Sequence, residues 1–191
     1  PVCVAVSGGF AYVGLNAAPS LNVIDVSNPS SPTIVGSVAT EGEANCVAVS
    51  GRYAYVANYS TAGSVQVIDV SRPSSPSSVV SAPLSSGAYI LAAAGRYVYA
   101  TEPDSNTLSV IDVSTPSTPA VVGSVGTGGF PLGVAVSGRY AYVAAKNFGQ
   151  LQVVDVPGVE TTSLSGHSVE AGTLQVRGDA AVADQLSVAG G

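Results

Sequence analysis

The stretch "IDVSNPSSP" at residues 24–32 decides how the whole chain is organised, because it recurs. It returns as "IDVSRPSSP" at 68–76 and as "IDVSTPSTP" at 111–119, and a divergent form begins with "VDVPGVETT" at 154–162. The aspartates of these four stretches are 44, 43 and 43 residues apart. A period in the range of about 20–50 residues is typical of solenoids, propellers and other repeat arrays.

A second marker keeps the same register. Each repeat has a turn glycine after its first apolar segment, and these glycines are 43, 44 and 43 residues apart: Gly8, Gly51, Gly95 and Gly138. Because two separate markers agree through four units, the chain contains four copies of one repeat.

The second repeat shows what each unit builds. It contains four short runs rich in Val, Tyr and Ser, at 46–50, 53–58, 64–70 and 77–83, separated by Gly, Pro, Ser and Asn. Such runs are typical of β-strands, and no segment has a sustained helical period. Four short strands per repeat, apolar on both faces, predict an all-β fold of β-propeller blades, each a four-stranded antiparallel meander packed between its neighbours.

The recurring corner is predicted to be a rigid hairpin between the third and fourth strand of a blade. Asp and Ser side chains bond the backbone just downstream, and each Pro fixes φ at a turn. One aspartate per blade at a turn indicates a scaffold role rather than a metal ligand or an acid. These structural aspartates are Asp25, Asp69, Asp112 and Asp155.

The repeat array is predicted to cover residues 1–157, with units near 2–45, 46–89, 90–132 and 133–157. The last unit lacks a fourth strand and a Pro-Ser corner, so the array holds about 3.75 blades. A Gly-, Ser- and Thr-rich linker is expected at 158–170. In 171–191 an "LxVxG" pattern recurs after 12 residues, which predicts the start of a β-solenoid or fibre-like repeat.

An incomplete ring must close in some way. Upstream blades can complete it, four blades can close with residues 163–170 as the last strand, or two chains can combine into a ring of about eight blades. Unpaired strand edges favour association, so self-association through blade edges or the tail is expected.

The segments "VAVSGRYAYVAN" at 47–58 and "VQVIDVSRPSSP" at 65–76 resemble the LVIVD repeat, a relative of the YVTN-type repeats of bacterial and archaeal surface proteins. The resemblance covers residues 2 to about 156. It implies a β-propeller in an extracellular or cell-surface protein, and it brings no shared catalytic residues.

Charge and hydropathy exclude two classes of partner. The net charge is −6 and the six basic residues are scattered, whereas a nucleic-acid surface needs clustered Lys or Arg. The longest apolar run, at 88–94, is far shorter than the roughly 20 residues of a membrane span. No nucleic acid and no membrane span are therefore predicted.

The two cysteines, Cys3 and Cys46, occupy the same position in successive repeats. A disulfide requires Cα atoms within about 7 Å, and matching positions of neighbouring repeats usually lie farther apart. Both are expected to be small buried side chains.

One end of the predicted blades varies between repeats, while the Gly turns and Pro-Ser corners of the other end are nearly constant. Loops on a rigid scaffold are the usual place for binding residues. The variable end is therefore the candidate binding face for a protein or a glycan, against the alternative of unconstrained solvated loops. Its candidate residues are Glu41, Glu43, Asn45, Asn58, Tyr59, Tyr89, Glu102, Asp104, Phe130, Lys146, Asn147 and Phe148.

Neither a metal, a cofactor nor catalysis is predicted. Oxygen ligands from Glu41, Glu43, Glu102 and Asp104 would suit Ca²⁺, but no calcium-loop spacing is present. The single histidine, His167, lies in the expected linker, and the sequence has no GxSxG, HExxH or CxxC motif. The sequence thus favours a non-enzymatic extracellular or surface binding and scaffold module. The alternative is a structural subunit of a fibre or multimeric assembly.

Overall fold

A computed structural model describes residues 1–147 and 149–156. All regular secondary structure in these residues is β-strand, which confirms the all-β prediction. The fifteen strands are β1 (Cys3–Ser7), β2 (Phe10–Leu15), β3 (Ser20–Asp25), β4 (Thr33–Ala39), β5 (Glu43–Ser50), β6 (Tyr53–Tyr59), β7 (Ser64–Asp69), β8 (Ser77–Pro83), β9 (Leu91–Ala94), β10 (Tyr97–Glu102), β11 (Thr107–Asp112), β12 (Ala120–Gly126), β13 (Pro131–Ser137), β14 (Tyr140–Ala145) and β15 (Gln150–Asp155).

The strands form four antiparallel sheets in sequence order. Blades 1, 2 and 3 are β1–β4, β5–β8 and β9–β12, and blade 4 is the three-stranded sheet β13–β15. The propeller-blade fold and the incomplete fourth blade were both predicted. In each complete blade the pairing of the third and fourth strand shifts by one residue, between Val23 and Ile24, Val67 and Ile68, and Val110 and Ile111. A bulge of this kind increases the local twist just before the corner.

Consecutive blades pack face to face through apolar side chains. Leu21 and Val23 of blade 1 lie in one buried cluster with Val56 and Ile68 of blade 2. Similar clusters join blade 2 to blade 3 and blade 3 to blade 4. The strands are apolar on both faces because each inner blade is covered from both sides.

The recurring corner is held by its aspartate. Asp69 accepts a hydrogen bond from the Ser71 backbone N–H at 2.9 Å, and the Arg52 guanidinium pairs with the same carboxylate. Arg52 also lies 5.3 Å from the ring centroid of Tyr53, a cation–π distance. The hydrogen bond from Arg52, followed by those from Ser71, lowers the pKa of Asp69 to about 2.

The pairing of the corner aspartate with an arginine recurs in blades 3 and 4. Arg96 bonds Asp112 at 2.7 Å, and Arg139 pairs with Asp155. In blade 1 a glycine, Gly9, stands where the arginine would be, and Asp25 accepts from the Ser27 backbone N–H at 2.9 Å. Asp25, Asp69 and Asp112 thus brace the backbone at their turns, whereas Asp155 pairs with the Arg139 side chain.

Among the described residues, no helix is long and apolar enough to cross a membrane. The expected linker at 158–170, the solenoid-like repeat at 171–191 and the candidate residue Phe148 lie outside the described residues, so those predictions stand as predictions.

Candidate functional site

Two adjacent cavities open at the variable end, and they share Glu43 and Tyr59. The larger has a volume of about 450 Å³, and its lining includes Ser60, Ser86 and Asp104. The smaller measures about 320 Å³, and its lining includes Val2, Asn16, Asn45, Tyr89 and Ile90. Strand ends and links of blades 1, 2 and 3 therefore meet around one recessed surface, which we call the loop-end site.

Two tyrosines form the centre of the loop-end site. The rings of Tyr59 and Tyr89 meet edge to face, with centroids 6.1 Å apart and planes at 82°. Tyr59 ends β6, and Tyr89 lies in the link that leads to β9. A Cβ on Gly87 would lie 2.5 Å from the Tyr59 ring, so only glycine lets the link pass this close. The aromatic pair depends on that close approach.

Carboxylates flank the aromatic pair on both sides. The Tyr59 hydroxyl donates a hydrogen bond to Asp104 Oδ2 at 2.9 Å, and this bond raises the pKa of Tyr59. On the other side, Asn16 Nδ2 donates to Glu43 Oε2 at 3.4 Å. Asp104 and Glu43 are exposed, whereas both tyrosines are half-buried. The site thus presents two aromatic rings between two solvent-facing negative charges.

The described residues that line the two cavities include no Lys or Arg. The one lysine of the variable end, Lys146, lies elsewhere, with its Nζ 6.0 Å from the ring centroid of Phe130. Arg52 and its counterparts occupy the corners. The loop-end site is therefore electronegative and suits a ligand that carries positive charge.

Two candidate residues, Asn58 and Glu102, lie inside the blades rather than on the loop-end surface. Asn58 is 1% exposed, and its Nδ2 donates to Ser64 Oγ at 3.0 Å and to Gln66 Oε1 at 3.2 Å. Glu102 is fully buried. Neither side chain is available to a ligand in this structure.

Glu102 holds the link between blades 2 and 3. Its carboxylate accepts hydrogen bonds from the hydroxyls of Ser85 and Ser109 and from the Ser86 backbone N–H at 2.8 Å. Two of these donors belong to the link and one to β11. A buried carboxylate with three donors has its hydrogen-bonding needs met without a cation.

Two glutamines hold the links between blades 1 and 2 and between blades 3 and 4 in the same way, and the sequence did not identify them as candidates. Gln66 Oε1 accepts from the Glu41 backbone N–H at 3.2 Å, and Gln152 Oε1 accepts from the Gly128 backbone N–H at 3.2 Å. Both glutamines stand three residues before the corner aspartate, as Ser109 does in blade 3. A polar residue recurring in register inside an apolar strand was the signal that would have identified them.

The remaining candidates do not join the loop-end site. Glu41 is exposed and accepts from Ser64 Oγ at 3.1 Å. Phe130 is tied to blade 3, because its backbone N–H donates to Asn106 Oδ1 at 2.6 Å. Asn147 is exposed. The predicted candidates that the structure brings together are therefore Glu43, Asn45, Tyr59, Tyr89 and Asp104.

In the part of the chain that the structure describes, no three His, Cys, Asp or Glu side chains are grouped as metal ligands would be. The four carboxylates considered for Ca²⁺ have separate partners: Glu102 is bonded to serines, Asp104 to Tyr59, Glu43 to Asn16 and Glu41 to Ser64.

Comparison with known proteins places this geometry in a family. The profile of the LVIVD repeat matches residues 3–40, 41–82, 88–127 and 128–165. No curated protein has significant sequence similarity to the chain.

Solved structures of the same fold share little sequence with the chain. The designed protein Ika4 is 15% identical with a TM-score of 0.66, and the match covers 81% of this chain and 90% of Ika4. BamB from Moraxella catarrhalis is 19% identical with a TM-score of 0.61, over 81% of this chain and 45% of BamB. A "putative 6-phosphogluconolactonase" from Bacteroides uniformis is 18% identical with a TM-score of 0.64, over 81% of this chain and 55% of that one. The chain thus spans about half of the two natural proteins, and at these identities the likeness shows the fold alone.

Proposed function

The chain belongs to the LVIVD repeat family, and we propose that it is a non-enzymatic binding module displayed outside the cell or on its surface. One observation supports this above others. The loop-end site places the Tyr59 and Tyr89 rings between Glu43 and Asp104, on a surface formed by three blades. Concave sites with aromatic walls and a few polar groups are where proteins commonly bind ligands.

The chemistry of the site favours a protein segment that presents a Lys or Arg side chain. A cation is attracted both by aromatic ring faces and by the two carboxylates. A neutral glycan could stack on the rings and donate hydroxyl hydrogen bonds to the carboxylates, but it would lack the charge–charge attraction that a cation gains. The net charge of −6 further favours basic partners.

The likeness to the protein described as a lactonase raises an enzymatic alternative. A substrate with a phosphate group would need basic side chains, because phosphate recognition rests on Arg, Lys and backbone N–H groups. The described lining of the loop-end site instead carries Glu43 and Asp104 and no Lys or Arg. A phosphorylated substrate is therefore disfavoured at this site.

A peptide array tests the proposal by comparing peptides that have a central Lys or Arg with the same peptides carrying norleucine at that position. A glycan array run in parallel tests the other class of ligand. Hits are then measured by calorimetry with Glu43→Gln and Asp104→Asn, which remove charge but keep shape. We expect each change to weaken binding about tenfold, or about 1.4 kcal/mol.

The matched control is Glu41→Gln, which neutralises an exposed carboxylate of the same end that lines neither cavity. It should leave the affinity unchanged. Equal affinity for Lys and norleucine peptides would contradict a cationic ligand. Binding to the glycan array alone would assign the site to a sugar.

A second candidate, a structural subunit, is favoured by the outer face of blade 4. Leu151 is 67% exposed, whereas Leu21 and Leu108, at the same repeat position in blades 1 and 3, are fully buried. The position two residues further along the same strand shows the same contrast. Val153 of blade 4 is 53% exposed, whereas Val23 of blade 1 is fully buried. Blade 4 thus presents a face that elsewhere packs against the next blade.

Blade 1 presents the complementary half. Val4 is 62% exposed, whereas its equivalent in blade 2, Val47, is 5% exposed and packs against blade 1. If two copies cover these faces, light scattering will show an oligomer that dissociates in Leu151→Asp and in Val4→Asp. Val79→Asp is the control, since Val79 is 39% exposed on β8 of blade 2, which is not an end blade. A monomeric parent chain would remove this candidate.

A further inference from the structure

The two cysteines meet at the junction of blades 1 and 2. Cys3 lies in β1 and Cys46 in β5, at the same position of consecutive repeats. Sequence spacing suggested that such positions lie far apart, but the first strands of neighbouring blades are in contact. Both sulfur atoms lie 3.9 Å from one acceptor, the carbonyl oxygen of Val47. The Val47 backbone N–H also donates to Cys3 Sγ at 2.7 Å.

The two thiols interact with each other as well as with the backbone. A hydrogen bond between them lowers the pKa of Cys46 to about 7 and raises that of Cys3. Cys46 is buried and Cys3 is half-exposed, so a small reagent can reach the pair from the Cys3 side. Thiol–disulfide exchange requires thiolate character and access. In this pair Cys46 supplies the thiolate character and Cys3 supplies the access.

We propose that Cys3 and Cys46 are a disulfide-forming pair that covalently joins blade 1 to blade 2 under oxidising conditions. The electron acceptor is a small-molecule disulfide such as oxidised glutathione. One cysteine thiolate attacks a glutathione sulfur and expels a glutathione thiolate, which gives a mixed disulfide. The other cysteine thiolate then attacks the protein-side sulfur of this mixed disulfide and expels the second glutathione as its thiolate. Two protein thiols lose two protons and two electrons, and one glutathione disulfide becomes two glutathione thiols.

The position of the pair connects it to the loop-end site. Val2 and Asn45, the residues that directly precede Cys3 and Cys46, both line the smaller cavity. A disulfide would therefore fix the two strands that form one wall of that cavity. This consequence rests on the proposed binding function, whereas formation of the bond does not. An oxidising location outside the cell is also where such a bond persists.

The test starts from the folded, reduced chain incubated with oxidised glutathione and then quenched with acid. We expect the intact mass to fall by two hydrogen atoms and the thiol count after denaturation to fall from two to zero. A protease specific for Glu cuts after Glu41 and Glu43 but not at the Glu102–Pro103 bond, so a non-reducing digest should contain peptide 1–41 joined to peptide 44–160. Trypsin is unsuitable, because both cysteines lie within 1–52.

Two controls tie the result to the folded geometry. Cys3→Ser, a conservative change at a half-exposed position, should give no joined peptides and retain Cys46 as a thiol or glutathione adduct. The same oxidation in guanidinium should give at least tenfold less crosslink at equal time. Persistent free thiols, stable glutathione adducts on both cysteines, bonds between chains, or equal yield in guanidinium would each overturn the proposal. None of these readouts depends on a ligand, so its failure is distinct from failure of the binding function.

Discussion

Replacing Glu102 with alanine should destabilise the junction of blades 2 and 3, although Glu102 itself lines neither cavity of the loop-end site. The carboxylate is fully buried and accepts hydrogen bonds from the Ser86 backbone N–H and from the hydroxyls of Ser85 and Ser109. These donors tie the inter-blade link to β11. Alanine removes every acceptor at once and leaves a space in the blade interior.

The magnitude follows from the donors that lose their partner. Ser85 is exposed and can turn to water, but Ser109 is 4% exposed and the Ser86 backbone faces the blade. Each buried donor left unsatisfied costs about 1–3 kcal/mol. Since the removed carboxylate had itself been costly to desolvate, we expect a net loss of about 3 kcal/mol. Glu102→Gln keeps the shape and one acceptor oxygen, so about 1 kcal/mol is expected.

Urea unfolding at neutral pH measures both values through the shift of the midpoint at constant slope. Glu43→Ala is the matched control, because Glu43 is an exposed carboxylate of the same end, and it should stay within about 0.5 kcal/mol of the parent. The reasoning is refuted if Glu102→Ala also stays within that range. It is equally refuted if Glu43→Ala is as destabilising as Glu102→Ala.

Three further outcomes are expected. Gly36→Ala should lower the free energy of unfolding by about 1–3 kcal/mol in the same urea assay, because its Cβ would lie 2.2 Å from the Pro73 carbonyl oxygen. The equivalent change in blade 3, Gly123→Ala, should be neutral, because its Cβ would meet no described atom within 4 Å. The lowered pKa of Asp69, about 2 against an ordinary 3.8, adds stability above pH 4 that is lost as the pH falls towards 2, and solvent screening keeps it below about 1 kcal/mol. An acid titration of Arg52→Gln should show a smaller loss of stability, because only the Ser71 hydrogen bonds then hold the pKa down. Closing the 43-residue loop between the cysteines should raise the unfolding free energy by up to about 4 kcal/mol, seen as a higher urea midpoint of oxidised over reduced protein.

The fold was predictable because the pattern of each blade strand recurs several times along the sequence. A single run such as 46–50 is ambiguous, but its recurrence in register with two turn markers leaves one architecture. The structure lengthens that strand to Glu43–Ser50, since Glu43 pairs with Tyr59 beyond a bulge between Ala44 and Cys46. Such a bulge depends on the neighbouring strand, and no local residue pattern indicates it.

The candidate site was less predictable, because polarity at a strand end does not reveal which way a side chain points. Asn58 and Glu102 stand next to loop residues in the sequence, and carboxylates are usually exposed. In the structure both residues lie within strands, β6 and β10, and their side chains turn inward. Their bonding partners, Gln66 and Ser109, lie on the adjacent strands at a repeat position that polarity alone does not pair with them.

The variable end therefore combines two kinds of variation with different physical causes. Each link between blades has backbone groups that need partners, and the chain satisfies them with glutamine at two junctions and with Glu102 plus serines at a third. That variation is a set of alternative solutions to one packing problem. Glu43, Tyr59 and Asp104 differ from it, because two of them are solvent-facing charges and all three border open cavities. Packing does not require their chemistry, so these residues, rather than variable positions in general, are where a ligand should be sought.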